Sequence, residues 1–189
     1  MVPTPIEVGQ NLLIELQTKD ELDEWIRTFG YKDYCERREF CENFSFAVPC
    51  VEAVRVIAKY TPIVEVGCGS GYWAKILLNN GVDVVATGYD CGAYLFKNRF
   101  TTILNLTAKQ VVETMAKTVL TCWPSMDNWC EDIIGARTII YIGEGYSGCC
   151  GTDEFHNMID EFYEPIEYCE IPNWFTVHDK LVVYERIGR

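Results

Sequence analysis

Along the first sixty residues apolar positions recur at helical spacing; beyond them they gather into short β-branched runs. Trp25, Ile26 and Phe29 share one face, Thr18 and Glu21 stand in capping-box relation, and Gly30 can supply a left-handed stop, which predicts a helix over 19–29. A second, charged helix is expected over 31–43. Val48-Pro49 opens a third, with Val51, Val54, Ile57 and Ala58 on one side and Pro62 beyond its end.

From Thr61 onward the rhythm is strand, helix, strand. The runs Ile63–Val66 and Val82–Thr87 flank a helix that reaches Asn80 and is stopped by Gly81. Further strands are predicted at Thr102–Leu104, Thr118–Cys122 and Thr138–Ile142, with helices over 108–116, where Thr107 and Gln110 form a capping box, and over 127–134. A glycine-rich loop leads to Thr152 as N-cap of a helix over 152–162. The last two strands, Ile166–Ile171 and Lys180–Arg186, are joined through Pro172 with no helix between them, so they must be antiparallel. The expected architecture is a Rossmann-like α/β fold: an open, mostly parallel seven-stranded sheet whose last strand is reversed. Residues 1–60 form a helical cover packed on the same domain as 61–189. Ligands of such sheets bind outside the carboxyl ends of the strands, which places the loops leaving strands 1, 2, 4, 5 and 6 on one rim.

Composition narrows the ligand. Sixteen Lys and Arg stand against 28 Asp and Glu, a formal charge of −12, so a phosphate backbone is repelled wherever the surface is not locally basic. Nonspecific nucleic-acid binding is not expected. No apolar run reaches membrane-spanning length and residues 1–7 lack the basic and apolar regions of a signal peptide, which reads as a cytoplasmic protein. The ten cysteines include no Cys-x-x-Cys pair, and only His156 and His178 accompany them. Free thiols are therefore expected, and no metal site.

Strand 1 runs into Glu65-Val66-Gly67-Cys68-Gly69-Ser70-Gly71-Tyr72-Trp73. Glycines here let the backbone turn sharply, approach a nucleoside closely and pack the helix on the sheet. A dinucleotide fingerprint would place its third glycine where Tyr72 stands, and a phosphate loop would require Gly-Lys-Ser/Thr, so both are disfavoured. An acid two residues before the first glycine resembles motif I of class I S-adenosylmethionine-dependent methyltransferases. The resemblance extends to a methyltransferase-like family through Phe44–Pro49, Pro62–Val85, Cys122-Trp123-Pro124, Tyr141–Gly145 and Ile171–Asp179, spanning about residues 40–186. It implies S-adenosylmethionine as cofactor and methyl transfer to a small-molecule or protein acceptor. Glu65, Gly67, Cys68, Gly69 and Gly71 would line its methionine and ribose portion, joined by Cys122 from the end of strand 4. Tyr72 and Trp73 could offer an aromatic face to the sulfonium. The acid that usually ends strand 2 is replaced by Gly88; Asp90, two residues later, is the candidate for the ribose.

On the acceptor side, Trp123 is expected to wall the pocket, and His178 is the candidate general base because its unperturbed pKa lies near neutrality. Glu144 could orient it or hold an amine. The loop Gly143–Gly151 has the glycine content of an anion nest, and His156 is expected at the surface. Three other readings stay open: a catalytically silent module retaining the fold, a nucleic-acid methyltransferase served by a basic partner, and an NAD or nucleotide-sugar oxidoreductase.

Overall fold

The computed structural model describes residues 2–29, 34–89, 96–115 and 117–188. Gly30 and Asp90 lie outside the described residues. The chain opens with α1 (Pro5–Leu12), α2 (Lys19–Phe29), α3 (Tyr34–Asn43) and α4 (Val51–Ala58), then alternates β1 (Ile63–Val66), α5 (Tyr72–Asn79), β2 (Val84–Thr87), β3 (Ile103–Leu104), α6 (Ala108–Thr114) and β4 (Thr118–Cys122). A 3-10 helix (Asn128–Ile133), β5 (Thr138–Gly143), α7 (Asp153–Phe162), β6 (Tyr163–Glu170) and β7 (Lys180–Arg186) complete it.

The seven strands form one sheet in the order β3-β2-β1-β4-β5-β7-β6. Pairings from β3 through β5 are parallel; β7 runs antiparallel to both β5 and β6. Six strands therefore share a direction and only β7 is reversed, as the missing crossover before it requires.

Alternation along the strands divides the core. Ile63, Leu120, Ile140 and Ile142 face the cover helices and α5, while Val64, Val119, Ile139 and Tyr141 face α6, the 3-10 helix and α7. On the first face Trp25, Phe40, Phe44, Tyr72 and Trp174 make a chain of ring contacts with centroids 5.1–6.3 Å apart. The cover is thus stitched to the sheet by aromatic packing, the largest contributors per residue to a buried interface.

Several local expectations hold. Thr18 accepts from Glu21 N–H while Glu21 Oε2 takes the Thr18 N–H (2.8 Å); Thr107 and Gln110 repeat the pattern; Thr152 caps α7 by accepting from Phe155 N–H. Three differ. Helix α1 went unread although Thr4 and Glu7 form a capping box with Pro5 in the first turn. The segment read as a helix over 127–134 is a tighter 3-10 helix. Strand β6 begins at Tyr163 rather than Ile166, because it lies at the sheet edge and a register shift between Pro165 and Glu167 accommodates the proline.

Candidate functional site

The turn out of β1 is built from backbone. Gly67, Gly69 and Gly71 have φ of +68°, +54° and +73°, values that cost an L-residue about 1 kcal/mol or more each. A Cβ on Gly67 would meet Trp129 Cη2 at 2.6 Å, and one on Gly69 would meet Phe96 Cε2 at 2.5 Å. Two rings from distant segments therefore lie directly against the loop. Glu65, 1% exposed, accepts from Ala74 N–H (3.1 Å) in the first turn of α5, a favourable place for a carboxylate. Thr87 Oγ1 donates to the Glu65 carbonyl (2.9 Å), and Cys68 N–H donates to the Thr87 carbonyl (3.1 Å), fixing the loop to the end of β2.

Tyr72 and Trp73 are tied to the cover by their polar atoms. The Tyr72 hydroxyl donates to the Gly9 carbonyl (2.6 Å) and Trp73 Nε1 donates to the Ala47 carbonyl (3.3 Å). Both are buried, and burial raises the Tyr72 phenol well above its ordinary pKa. These residues anchor the cover onto the glycine turn, and both also line the cavity that lies beside it.

Beside the turn, at the carboxyl ends of the strands, lies a cavity of about 710 Å³, within the usual range for small-ligand sites. Its two halves come from different strands. One is formed by Glu65–Ser70 after β1, Gly88 and Tyr89 after β2, and Leu106–Ala108 after β3. The other is formed by Cys122–Asp127, Trp129 and Asp132 after β4, with Cys149 after β5 and Phe44–Phe46 of the cover above. Among the described residues its lining contains Glu65, Asp127 and Asp132 but no Lys, Arg or His. Residues 90–95, which continue the β2–β3 connection, carry Asp90 and no cationic residue in the sequence. Trp129 is set in the wall by donating to Ser125 Oγ (2.7 Å), which in turn donates to Asp127 Oδ2 (3.0 Å).

Trp123, directly after β4, has φ +51°, a left-handed conformation that costs an aromatic residue about 1–3 kcal/mol. Four groups hold it. Its N–H donates to the Ile142 carbonyl (2.8 Å), its indole Nε1 donates to Asp179 Oδ1 (2.8 Å), Phe46 stacks on it at 5.2 Å, and the Arg37 guanidinium lies 5.2 Å from its ring. Asp179 is 1% exposed. Burial pushes its carboxyl up to about 7, with Glu144 adding to the rise and the Trp123 N–H, Arg37 and His178 opposing it.

Sequence reasoning placed the acceptor chemistry elsewhere. The His178 side chain is 83% exposed, borders a separate groove with Asn173–Thr176, and does not line the main cavity. The loop after β6 therefore turns Asp179 inward and leaves the side chain of His178, the candidate general base, outside the main cavity with its Nδ1 3.7 Å from Glu144 Oε1. Glu144 also stays off the cavity wall: its two oxygens accept from His178 N–H (3.0 Å) and Cys149 N–H (3.1 Å), tying two rim loops together. That carboxylate takes a backbone donor of the loop that was read as an anion nest. His156 is buried, with Nε2 2.8 Å from the Cys150 carbonyl oxygen, rather than at the surface. Cys122 lines the cavity, and burial raises its thiol well above the ordinary value; Cys41 and Cys150 are pushed up to about 12 for the same reason. These three are thiols at neutral pH and poor nucleophiles. Among the described residues no group of His, Cys, Asp and Glu could hold a metal ion, and no helix is long and apolar enough to cross a membrane.

Phe96, Trp129 and Arg37 were missed as site residues. Only Trp129 carried a local signal, the Ser125-x-Asp127 run that fixes its indole.

Strand order and the glycine turn define the fold class. An order of β3-β2-β1-β4-β5-β7-β6 with β7 alone reversed is the class I methyltransferase fold. No protein-family model and no curated protein matches the chain. Solved structures that it is similar to include the PH0226 protein from Pyrococcus horikoshii OT3, at 10% identity over 72% of this chain and 90% of that one (TM-score 0.48). They also include magnesium protoporphyrin IX methyltransferase from Synechocystis PCC 6803 with bound SAM, at 12% over 97% and 82% (TM-score 0.43). Human N-acetylserotonin methyltransferase in complex with SAM matches at 13% over 94% of this chain and 65% of its own length (TM-score 0.49).

Proposed function

We propose that the protein binds S-adenosylmethionine in the cavity beside the Gly67–Gly71 turn and transfers its methyl group to a small-molecule or protein side-chain acceptor. The carrying observation is the charge of the lining: among the described residues, three carboxylates and no cation surround a left-handed glycine turn at the mouth of a parallel sheet. A pyrophosphate or triphosphate placed there would be repelled without any compensating Lys or Arg. A ligand bearing a sulfonium and an ammonium group would be attracted. Bound S-adenosylmethionine would supply an electrophilic methyl group, and what remains for the chain is to hold an acceptor in line with it and exclude water.

Asp90 is retained as the ribose acid, because no other carboxylate follows the end of β2 before β3. The β4 half of the cavity, with Trp123, Met126 and Trp129, suits a flat or apolar acceptor. The negative net charge favours small molecules and protein side chains over nucleic acid.

One observation favours a second reading, a cofactor-free module. The rings of Trp129 and Phe96 already lie against Gly67 and Gly69, so the glycines serve internal packing whether or not a nucleoside binds. Titration calorimetry separates the two. Methyl transfer predicts binding of S-adenosylmethionine and S-adenosylhomocysteine with Kd between about 1 μM and 1 mM, the usual range of enzyme substrates, and no heat with NAD. Absence of heat with both adenosyl ligands at millimolar concentration leaves the module.

A further inference from the structure

Three groups at the acceptor half converge from segments far apart in sequence: Trp123 after β4, Asp179 before β7, and Arg37 in α3. Arg37 faces the indole ring and Asp179 binds its nitrogen. Asp179 Oδ2 and Arg37 Nε are both buried without a hydrogen-bond partner. The aspartate is itself locked, its N–H donating to Asn173 Oδ1 (2.6 Å) and its carbonyl accepting from Asn173 Nδ2 (3.1 Å). A carboxylate this buried is retained in a fold against a desolvation cost, and the one side chain it binds is an indole on left-handed backbone at a cavity wall.

We propose that Asp179 is the positioning residue of the acceptor half: by accepting the Trp123 indole N–H it holds that ring against its strained backbone and sets the wall on which an acceptor lies. The acceptor rests on the methyl-transfer reading; the holding of Trp123 does not. Asp179 does not line the cavity, so it acts through the indole and is not a catalytic base.

Because Oδ1 is engaged and Oδ2 is free, a proton added to the carboxyl settles on Oδ2 and leaves the indole with a neutral, weaker acceptor. The bond is therefore graded by pH across the neutral range. The ionisable groups facing Asp179 are Arg37 and Cys41 from α3, Cys122 at the end of β4, Tyr141, Glu144 and Cys150 from β5 and its loop, and the neighbouring His178. Of these, His178 is the immediate neighbour in sequence, so its removal serves as the control.

The test is fluorine NMR of the full chain labelled with 5-fluorotryptophan, which gives five signals, Trp123 being assigned by its loss in Trp123→Phe. We expect the Trp123 signal to titrate with a midpoint within about one unit of pH 7. Asp179→Asn, whose amide copies the protonated carboxyl, should hold the signal at its low-pH position at every pH. His178→Ala should leave the titration in place. A wild-type Trp123 signal that is flat between pH 5.5 and 8.5, or a titration that survives in Asp179→Asn or vanishes in His178→Ala, overturns the proposal. S-adenosylhomocysteine affinity, measured alongside, should change less than twofold in Asp179→Asn because the glycine half is untouched. A larger change overturns the separation of the halves, and failure of the wild type to bind it defeats the methyl-transfer reading while leaving the NMR result to decide the role of Asp179.

Discussion

The two halves of the cavity are made differently. The half after β1 to β3 is shaped by backbone, three glycines at positive φ pinned by Glu65 to the first turn of α5 and by Thr87 from the neighbouring strand. The half after β4 and β5 is shaped by side chains, with Trp123 wedged among Phe46, Arg37 and Asp179 and with buried polar atoms left unpaired. Backbone geometry of the first kind is set by consecutive residues and tolerates no side chain. The second kind depends on three remote segments and stores strain that one substitution can release.

The contrast is broken most severely at the turn. Gly69→Leu combines an unfavourable φ with a Cβ 2.5 Å from Phe96, and we expect loss of S-adenosylhomocysteine binding by at least about 100-fold, some 2.7 kcal/mol, with the far-ultraviolet circular dichroism preserved. Calorimetry checks the first and spectroscopy the second. Next in size is Phe40→Ala, which empties a fully buried site at the junction of cover and sheet and should cost about 3–5 kcal/mol in denaturant unfolding.

Asp179 supplies an effect whose sign is set by pH. Its folded pKa of about 7 lies well above the ordinary aspartate value, so the folded protein binds this proton more tightly than the unfolded chain. The carboxyl's contribution is most favourable at low pH and declines as pH rises from about 4 to 7. Asp179→Asn should match wild type near pH 4 and exceed it at pH 8, the gap growing by up to about 1.4 kcal/mol per unit in between. Thermal melts at several pH values measure it; a gap that narrows with rising pH contradicts the account. Smallest is His178→Ala. An 83% exposed side chain outside the cavity should change stability by less than about 0.5 kcal/mol.

The same division explains what could be read from the sequence. Glu65 through Gly71 announced themselves because a backbone-built turn is encoded by consecutive residues. The reversal of the last strand followed from the absence of a helix before Lys180. The wedge around Trp123 could not be read, since nothing local links residue 123 to residues 37, 46 and 179. The loop after β6 was rightly placed on the rim, yet neighbouring side chains diverge, and His178 went to solvent while Asp179 went inward. Helix α1 had a legible cap at Thr4 and Glu7, but its buried residues are only Pro5, Val8, Gly9 and Leu12; Gly9, beneath the Phe44 ring, is small to permit contact and looks in sequence like a helix breaker.

The central claim concerns a sulfonium methyl group bound beside Gly67 in a cavity whose lining includes the rings of Phe96, Trp123 and Trp129. S-adenosylmethionine carrying a carbon-13 methyl group reports that environment directly: on adding the protein we expect the methyl proton signal to broaden and move upfield by several tenths of a part per million, and to return to its free position when unlabelled S-adenosylhomocysteine is added in excess. A methyl signal unchanged at millimolar protein and ligand would contradict a sulfonium site beside Gly67.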